Sequence, residues 1–313
     1  MGFKRIAIAG ASSVGTQGGW SWGTGTAILH ALVDLKRQDP SIWDTIVVVS
    51  RLESVQRSST EFALLAPFGV EVRGADYQSV ESLQKAIQGT EIVLSCIAGP
   101  AAIPTLASNL LRASVATGTV RRFLPSEYSF DLEAPRNAPL LGDYHKRKVE
   151  HRRDVEKSGL EWTYVVTGSY LRPPSYIATL TTPTPTRPVL IRLDLSTPPP
   201  STLVSGITVP DVALYVARLV TDPDESWSRN KCVRFLADEW SQTGEVELVR
   251  EVSGKPVEVD WVEEKNASYF ALQAAKGLYW VPKSEWDSSR YPDVKPRRLR
   301  DVVEEEWKRV QSA

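Results

Sequence analysis

Strand-like and helix-like patterns alternate along the first half of this chain, and the links between them are short. Such alternation predicts a parallel sheet whose strands are joined by right-handed helical crossovers, which is a doubly wound α/β fold. Helices are predicted from Ile28 onward, between Ser79 and Gly89, and from Pro104 to Ala116. The predicted strands are Phe3–Ala9, Thr45–Val49, Val70–Arg73, Glu91–Ile97 and Arg122–Pro125.

A glycine-rich turn follows the first strand. Gly10 suits the first position of a turn that brings backbone N–H groups to a pyrophosphate at a helix N-terminus, and Gly25 suits the last. About nine extra residues lie between them compared with the usual spacing, and they carry Trp20 and Trp22. These tryptophans either cover the inserted loop or contact substrate or cofactor. The predicted cofactor-binding residues of the turn are Gly10, Ser12, Ser13 and Gly25.

The ends of the later strands supply further candidates. Arg51 follows the second strand, where a carboxylate would bind the ribose hydroxyls of NAD and an arginine suits the extra phosphate of NADP. The alternative is an ordinary surface arginine, but the position at the carboxyl end of a strand favours NADP. Asp76, Ala98 and Gly99 follow the third and fourth strands and complete the predicted cofactor contacts.

Tyr144 and Lys148 form the candidate acid–base pair. A helix is predicted between a cap at Asp143 and an end at Gly159, and a buried strand is predicted from Leu160 to Tyr170. Residues four apart share a helix face, so the ammonium lowers the pKa of the phenol and suits it to proton transfer with a carbonyl or hydroxyl. The alternative is a solvated face, because six Lys or Arg and three acids lie between residues 146 and 157.

Composition narrows the class of partner. A net charge of −1, with 42% hydrophobic and 24% charged residues, is ordinary for a globular protein and does not favour a nucleic-acid partner. No apolar run approaches membrane-spanning length and no signal peptide is visible, which predicts a cytoplasmic location and no membrane association. Cys96 and Cys232 are expected to be core thiols, and three scattered histidines offer no metal-ligand spacing.

The pattern changes after Arg172. Nine prolines lie between Pro173 and Pro210, a density that excludes long helices and central strands. One short strand is predicted there, at residues 189–193, and a helix from Pro210 or Asp211 through Leu219 follows. The remaining predicted elements are strands at 231–236 and 257–262 and helices at 244–252, 267–276 and 299–310.

Together these residues resemble the NmrA-like and isoflavone-reductase-like branch of the atypical short-chain dehydrogenases. Arg122-Phe-Leu-Pro-Ser-Glu-Tyr-Ser-Phe-Asp131 is similar to the branch's fifth-strand motif, and the segment from Lys148 to Tyr164 is similar to its lysine and Ser-Gly-x-x-x-Thr-Tyr pattern. The helix that begins near Val209 carries a weaker match. Gly168 stands where the branch often has asparagine, and the lengthened glycine loop is a second departure.

The resemblance implies a Rossmann-type domain that holds NADP(H), with a smaller α+β C-terminal substrate domain. Residues 1–172 are expected in the first domain, with 205–235 returning to it, and 173–204 and 236–313 in the substrate-binding region. The resemblance also implies that Lys148 contacts the nicotinamide ribose and transfers protons directly or through Tyr144. It places Ser126 near the substrate oxygen, and Tyr128 and Tyr170 in the pocket or, alternatively, in the core.

The leading hypothesis is an NADPH-dependent oxidoreductase that reduces a C=O, C=C or C=N bond of a small aromatic or polycyclic substrate, acting as a monomer or homodimer. One alternative enzyme couples redox chemistry to cyclisation or rearrangement of such a substrate. A third hypothesis is a non-catalytic, dinucleotide-sensing regulator of the NmrA type. The presence of both Tyr144 and Lys148 favours catalysis.

Overall fold

Most of the strands and helices lie where short-range sequence patterns predict them. The computed structural model describes residues 2–11, 23–57, 62–97, 99, 102–132, 142–192 and 202–312. The α-helices within these ranges are α1 (Thr24–Gln38), α2 (Leu52–Arg57), α3 (Val80–Ile87), α4 (Ser108–Ala116), α5 (Gly142–Lys157), α6 (Val209–Thr221), α7 (Gln242–Ser253), α8 (Tyr269–Ala275) and α9 (Leu299–Gln311). The strands are β1 (Arg5–Ala9), β2 (Thr45–Arg51), β3 (Val70–Ala75), β4 (Ile92–Ser95), β5 (Arg122–Leu124), β6 (Glu161–Val166), β7 (Ser169–Tyr170), β8 (Val189–Arg192), β9 (Leu203–Ile207), β10 (Lys231–Arg234), β11 (Asp238–Ser241) and β12 (Asp260–Glu263).

A parallel sheet forms the centre of the first part of the protein. Within the described residues it has seven strands in the order β3-β2-β1-β4-β5-β6-β10. Its central strands are apolar and buried, as Ile6–Ala9 and Ile46–Val49 show, because helices cover parallel sheets on their faces. The strand order reverses between β1 and β4, so a crevice opens at the carboxyl ends of these strands. The predicted doubly wound parallel sheet is confirmed.

Local sequence signals explain where the flanking helices begin. The Ser79 side chain accepts a hydrogen bond from the Ser82 N–H at 3.1 Å and caps α3 as predicted. Helix α1 begins at Thr24, directly after Gly23, and buries Ile28, Leu29 and Leu32. Its contacts with α6 tie the returning segment of the chain to the first strands.

The chain divides into two compact units. The first comprises Met1–Tyr128, Leu141–Val166 and Val209–Arg234, and the second comprises Ser129–Leu140, Thr167–Thr208 and Phe235–Ala313. This division differs from the predicted domains in assigning residues 129–140 and 167–172 to the second unit. It also places residues 205–208 and Phe235, predicted in the first domain, in the second unit. The predicted domain bounds stay a prediction.

The second unit is built on two small sheets. A three-stranded sheet has the order β11-β9-β7, and β12 pairs with β8. The Ser205 hydroxyl donates to the Val281 carbonyl oxygen at 3.1 Å, and Phe130 packs edge-on against Tyr279 with 5.1 Å between ring centroids. Buried Trp307 belongs to α9.

The predicted strand from Leu160 to Tyr170 is confirmed over Glu161–Val166, but its continuation to Tyr170 is wrong, because the chain makes two strands there. Strand β6 ends at Val166, and β7 pairs with β9 in another sheet. Gly168 lies between them at φ +61°, and a Cβ there would lie 2.1 Å from the Ser205 carbonyl oxygen. Backbone this close leaves room only for glycine, which explains the departure from asparagine.

The predicted cap at Asp143 is also wrong. Helix α5 begins one residue earlier, at Gly142, so Asp143 lies inside the first turn. Its carboxylate is 3.7 Å from the Lys146 ammonium, an exposed pair. An acid in this turn still favours the helix through the helix dipole. In the described part of the chain, every helix is too short or too polar to cross a membrane.

Candidate active site

A cavity of about 320 Å³ opens at the carboxyl ends of β1, β2 and β4. Its lining includes Gly10, Ser50, Arg51, Tyr77, Cys96 and Leu106. This is the place where the strand order reverses, which is where ligands bind in open α/β sheets. The volume is within the range of small-molecule sites, about 300–1,000 Å³. The sequence-predicted residues Gly10 and Arg51 are therefore brought together at one site.

Close backbone contacts shape the floor of this cavity. Gly10 has φ +97°, and a Cβ there would lie 2.7 Å from the Cys96 carbonyl oxygen. A Cβ at Gly25 would lie 2.8 Å from the Gly10 carbonyl oxygen. The missing side chains let the start of α1 approach the ends of β1 and β4. That Gly10 and Gly25 bind a pyrophosphate stays a prediction. Ser12, Ser13, Trp20, Trp22 and Ala98 lie outside the described residues.

The rim of the cavity at the end of β2 is polar and cationic. The Arg51 side chain is 62% exposed and 3.7 Å from the Glu53 carboxylate. Ser50 is buried, and its hydroxyl has no hydrogen-bond partner in the part of the chain that the structure describes. None of the described residues that line the cavity is acidic. A phosphate suits this rim better than a pair of ribose hydroxyls, because an arginine and a hydroxyl donate to it.

Asp76 is exposed, and its neighbour Tyr77 lines the cavity instead. The Asp76 carboxylate accepts a hydrogen bond from the Gln78 N–H at 2.9 Å, which makes it a turn residue. The Tyr77 hydroxyl donates to the Val49 carbonyl oxygen at 2.8 Å. Sequence reasoning missed Tyr77 because it chose the polar side chain of this turn. Gly99 has φ +107° and is partly buried.

Cys96 and Tyr128 connect this cavity to the loop after β5. Burial raises the pKa of the Cys96 thiol to about 12, although the hydrogen bond with the Tyr128 side chain opposes the change. The thiol is therefore protonated and inert at neutral pH. Tyr128, predicted as a pocket residue, is buried with 7% of its surface exposed.

Lys148 is buried on helix α5, with 7% of its surface exposed. Burial lowers the pKa of its ammonium, Glu127 opposes that change, and Arg152 reinforces it. The Lys148 Nζ atom lies 5.8 Å from the centroid of the Tyr144 ring, and Tyr144 is half-buried. The two predicted residues therefore share one face of the helix. The lowered pKa of the Tyr144 phenol stays a prediction.

Glu127 and Arg152 surround this lysine, and sequence reasoning missed both. The Glu127 carboxylate lies 3.9 Å from Lys148 Nζ. It accepts a hydrogen bond from Arg152 Nε at 2.9 Å and lies 2.7 Å from Arg152 Nη2 in an ion pair. Both side chains are 1% exposed. The spacing of Lys148 and Arg152, four residues apart, was the one available signal that they share a face.

Ser126 and Tyr170 complete the predicted set. Ser126 is partly exposed at the centre of a tight turn, in which the Glu127 N–H donates to the Pro125 carbonyl oxygen at 2.8 Å. Its turn places it beside Glu127 in the loop that faces Lys148. Tyr170 lies in the second unit on β7, with the Arg172 guanidinium 5.8 Å from its ring centroid.

Comparison with protein families finds one matching model. The model described as the NmrA-like family matches residues 5–281. An isoflavone reductase homologue of Nicotiana tabacum is 28% identical over 220 residues, which cover 67% of this chain and 66% of that protein. The matched stretches of the Nicotiana relatives span 62–66% of their own length, just under two thirds.

Solved structures share the fold at lower identity. AtPrR2 with NADP+ and (+)-pinoresinol superposes with a TM-score of 0.72 at 19% identity, covering 96% of this chain and 98% of that one. The binary complex of leucoanthocyanidin reductase with NADPH from Vitis vinifera gives a TM-score of 0.70 at 20% identity, covering 99% of this chain and 100% of that one.

Proposed function

The chain belongs to the NmrA-like family, as its motifs predicted, and from that premise we propose that it is an NADPH-dependent oxidoreductase. It reduces a C=O, C=C or C=N bond of a small aromatic or polycyclic substrate. The observation that carries the proposal is the buried Lys148 beside Glu127, in the same unit as a cavity with a cationic rim. A lysine on a solvated helix face would be exposed to water and would not require a carboxylate beside it.

The residues of the cavity fit the adenosine half of NADP(H). Gly10 and Gly25 leave room for a pyrophosphate at the start of α1. The Arg51 guanidinium and the unpartnered Ser50 hydroxyl suit the phosphate on the ribose. When bound, the cofactor supplies the hydride that an electrophilic carbon of the substrate accepts.

The chain's own part in the reaction is binding and proton transfer. Lys148 donates a proton to the substrate atom that gains electron density, directly or through the Tyr144 hydroxyl. An ammonium whose pKa is lowered by burial gives up its proton more readily than a solvated one. Ser126 holds the substrate oxygen, as its place in the loop before Glu127 suggests.

The substrate class is supported by the compounds for which the relatives are named. An isoflavone reductase homologue and a leucoanthocyanidin reductase both name polycyclic aromatic compounds, and AtPrR2 was solved with (+)-pinoresinol. These three relatives favour an aromatic substrate for this chain.

NADPH oxidation in the presence of a panel of aromatic ketones, enones and imines tests the activity. Lys148→Met should lower turnover at least about 100-fold, the usual scale for a lost acid–base group, whereas Lys146→Met, on the exposed face of the same helix, should not. Product formation without net NADPH loss would favour the redox-coupled rearrangement. Equal activity of both variants would contradict the role of Lys148.

The coenzyme assignment has its own test, thermal shift with NADPH and with NADH. NADPH should stabilise the protein more, and Arg51→Ala should weaken NADPH binding about 10–100-fold while NADH binding stays constant, because a charged hydrogen bond is lost. Arg37→Ala is the control, because Arg37 is an exposed arginine paired with Asp34. A larger shift with NADH would overturn the assignment.

A further inference from the structure

Glu127 uses its two carboxylate oxygens differently. Oε2 accepts a hydrogen bond from Arg152 Nε at 2.9 Å and lies 2.7 Å from Arg152 Nη2 in an ion pair, whereas Oε1 faces Lys148 Nζ at 3.9 Å. The charge-assisted hydrogen bond and the short ion-pair contact hold Oε2 on the guanidinium, whereas 3.9 Å is too long for a hydrogen bond between Oε1 and the ammonium. The carboxylate therefore attracts the ammonium without occupying its protons.

Arg152 is held independently of Lys148. The Arg152 guanidinium lies over the Tyr164 ring, 4.4 Å from the ring centroid. The Tyr164 hydroxyl donates a hydrogen bond to the backbone carbonyl oxygen of Arg152 at 3.2 Å. Two buried cations at positions i and i+4 of one helix repel each other. Glu127 lies against both, which makes their common burial possible.

Charge balance gives this arrangement a function. Among Lys148, Glu127 and Arg152, the one carboxylate balances one of the two cations, so these three side chains carry one positive charge when Lys148 is protonated and none when it is neutral. A carboxylate paired with Lys148 alone would hold the proton on the amine. With Arg152 present the carboxylate orients the amine and leaves it free to exchange its proton.

We propose that Glu127 is a positioning residue for Lys148 and that Arg152 is the counter-charge that keeps the lysine's proton transferable. This proposal rests on the proposed function, in which Lys148 is the proton donor. The groups that act on Lys148 are Glu127 from the loop after β5, and Arg152, His151 and Tyr144 from α5.

The direct test is to measure the pKa of Lys148 by NMR of its Nζ atom, in protein without cofactor. Glu127→Gln should lower that pKa by about one unit or more, because two cations remain. Arg152→Gln should raise it, because the carboxylate is then uncompensated. The double variant should titrate within about half a unit of wild type, and Glu150→Gln, an exposed acid on the same helix, should change nothing.

Turnover gives the second readout. Since Lys148 donates a proton, kcat falls above its pKa, and this alkaline limb should move to lower pH in Glu127→Gln and to higher pH in Arg152→Gln. We expect kcat of Glu127→Gln to fall at least about tenfold with KM for NADPH within about threefold, and Glu127→Asp to recover part of it. If Glu127 and Arg152 had a purely structural role, the alkaline limb of kcat would not move in opposite directions in the two variants.

The outcomes separate this proposal from the proposed function. Unchanged Lys148 titration in both single variants, or shifts of the same sign, overturns the role of Glu127 even when the wild type reduces its substrate. Absence of any NADPH oxidation by the wild type overturns the function, while the NMR titration still decides the charge balance. If Glu127→Gln does not fold, Arg152→Gln and the double variant decide it by their relative pKa values.

Discussion

Replacing Gly10 by alanine should damage both stability and cofactor binding. Gly10 has φ +97°, and an alanine Cβ would lie 2.7 Å from the Cys96 carbonyl oxygen. Left-handed backbone costs a residue with a side chain about 1–2 kcal/mol, and forcing an atom into tightly packed backbone costs about 1–3 kcal/mol more. The free energy of unfolding should therefore fall by about 2–5 kcal/mol.

Gly89→Ala is the matched control. Gly89 has φ +83°, but no described atom lies within 4 Å of the position of its Cβ. It should lose only the conformational part, about 1–2 kcal/mol. The difference between the two variants therefore isolates the contact between the ends of β1 and β4.

Urea unfolding with and without NADPH measures both effects. A ligand at 100 times its dissociation constant adds about 2.7 kcal/mol to the free energy of unfolding. Gly89→Ala should keep that increment, and Gly10→Ala should lose most of it because the floor of the cavity shifts. Equal destabilisation by the two substitutions, or full NADPH stabilisation of Gly10→Ala, would refute the role assigned to this close approach.

Two further outcomes are expected from the second unit. Gly168→Ala should destabilise the protein more than Gly159→Ala, by about 1–3 kcal/mol in urea unfolding, because only the Cβ at Gly168 meets the Ser205 carbonyl oxygen; equal losses would contradict this. Burial raises the pKa of Glu245 from its usual 4.5 to about 7. The folded state then binds more protons than the unfolded state, so stability is fully present below pH 4.5 and is lost as pH rises to about 7. Glu245→Gln should reduce this fall in the free energy of unfolding, measured by urea unfolding at pH 5 and pH 8, by roughly 1–3 kcal/mol, and an unchanged fall would exclude Glu245 as its origin.

Local patterns predicted the first unit well because its elements are continuous in sequence. The Gly10 turn, the Ser79 cap and the arginine at the end of β2 each depend on a few neighbouring residues. Parallel strands buried on both faces are apolar along their length, which makes them easy to find. The cavity at their carboxyl ends follows from the strand order.

Contacts between distant residues were harder to predict. Strands β9 and β11 went unpredicted because their pairing partners are far away in sequence and their own patterns are short. Polar residues are scattered along the whole run from Leu160 to Tyr170, so its hydrophobicity pattern gave no sign of the break. Only Gly168 marks the break, because a Cβ there would clash with the carbonyl oxygen of Ser205, 37 positions later in the sequence.

The environment of Lys148 shows the same limit and sharpens the functional conclusion. Spacing within the helix gave Tyr144 as its partner, whereas the charge that compensates it comes from Glu127, 21 residues earlier in a loop. A buried ammonium must be balanced, so the chain that buries Lys148 must also supply an anion. Burial lowers the pKa of Lys148, Glu127 opposes that change and Arg152 reinforces it, and a lowered pKa suits the lysine to proton donation.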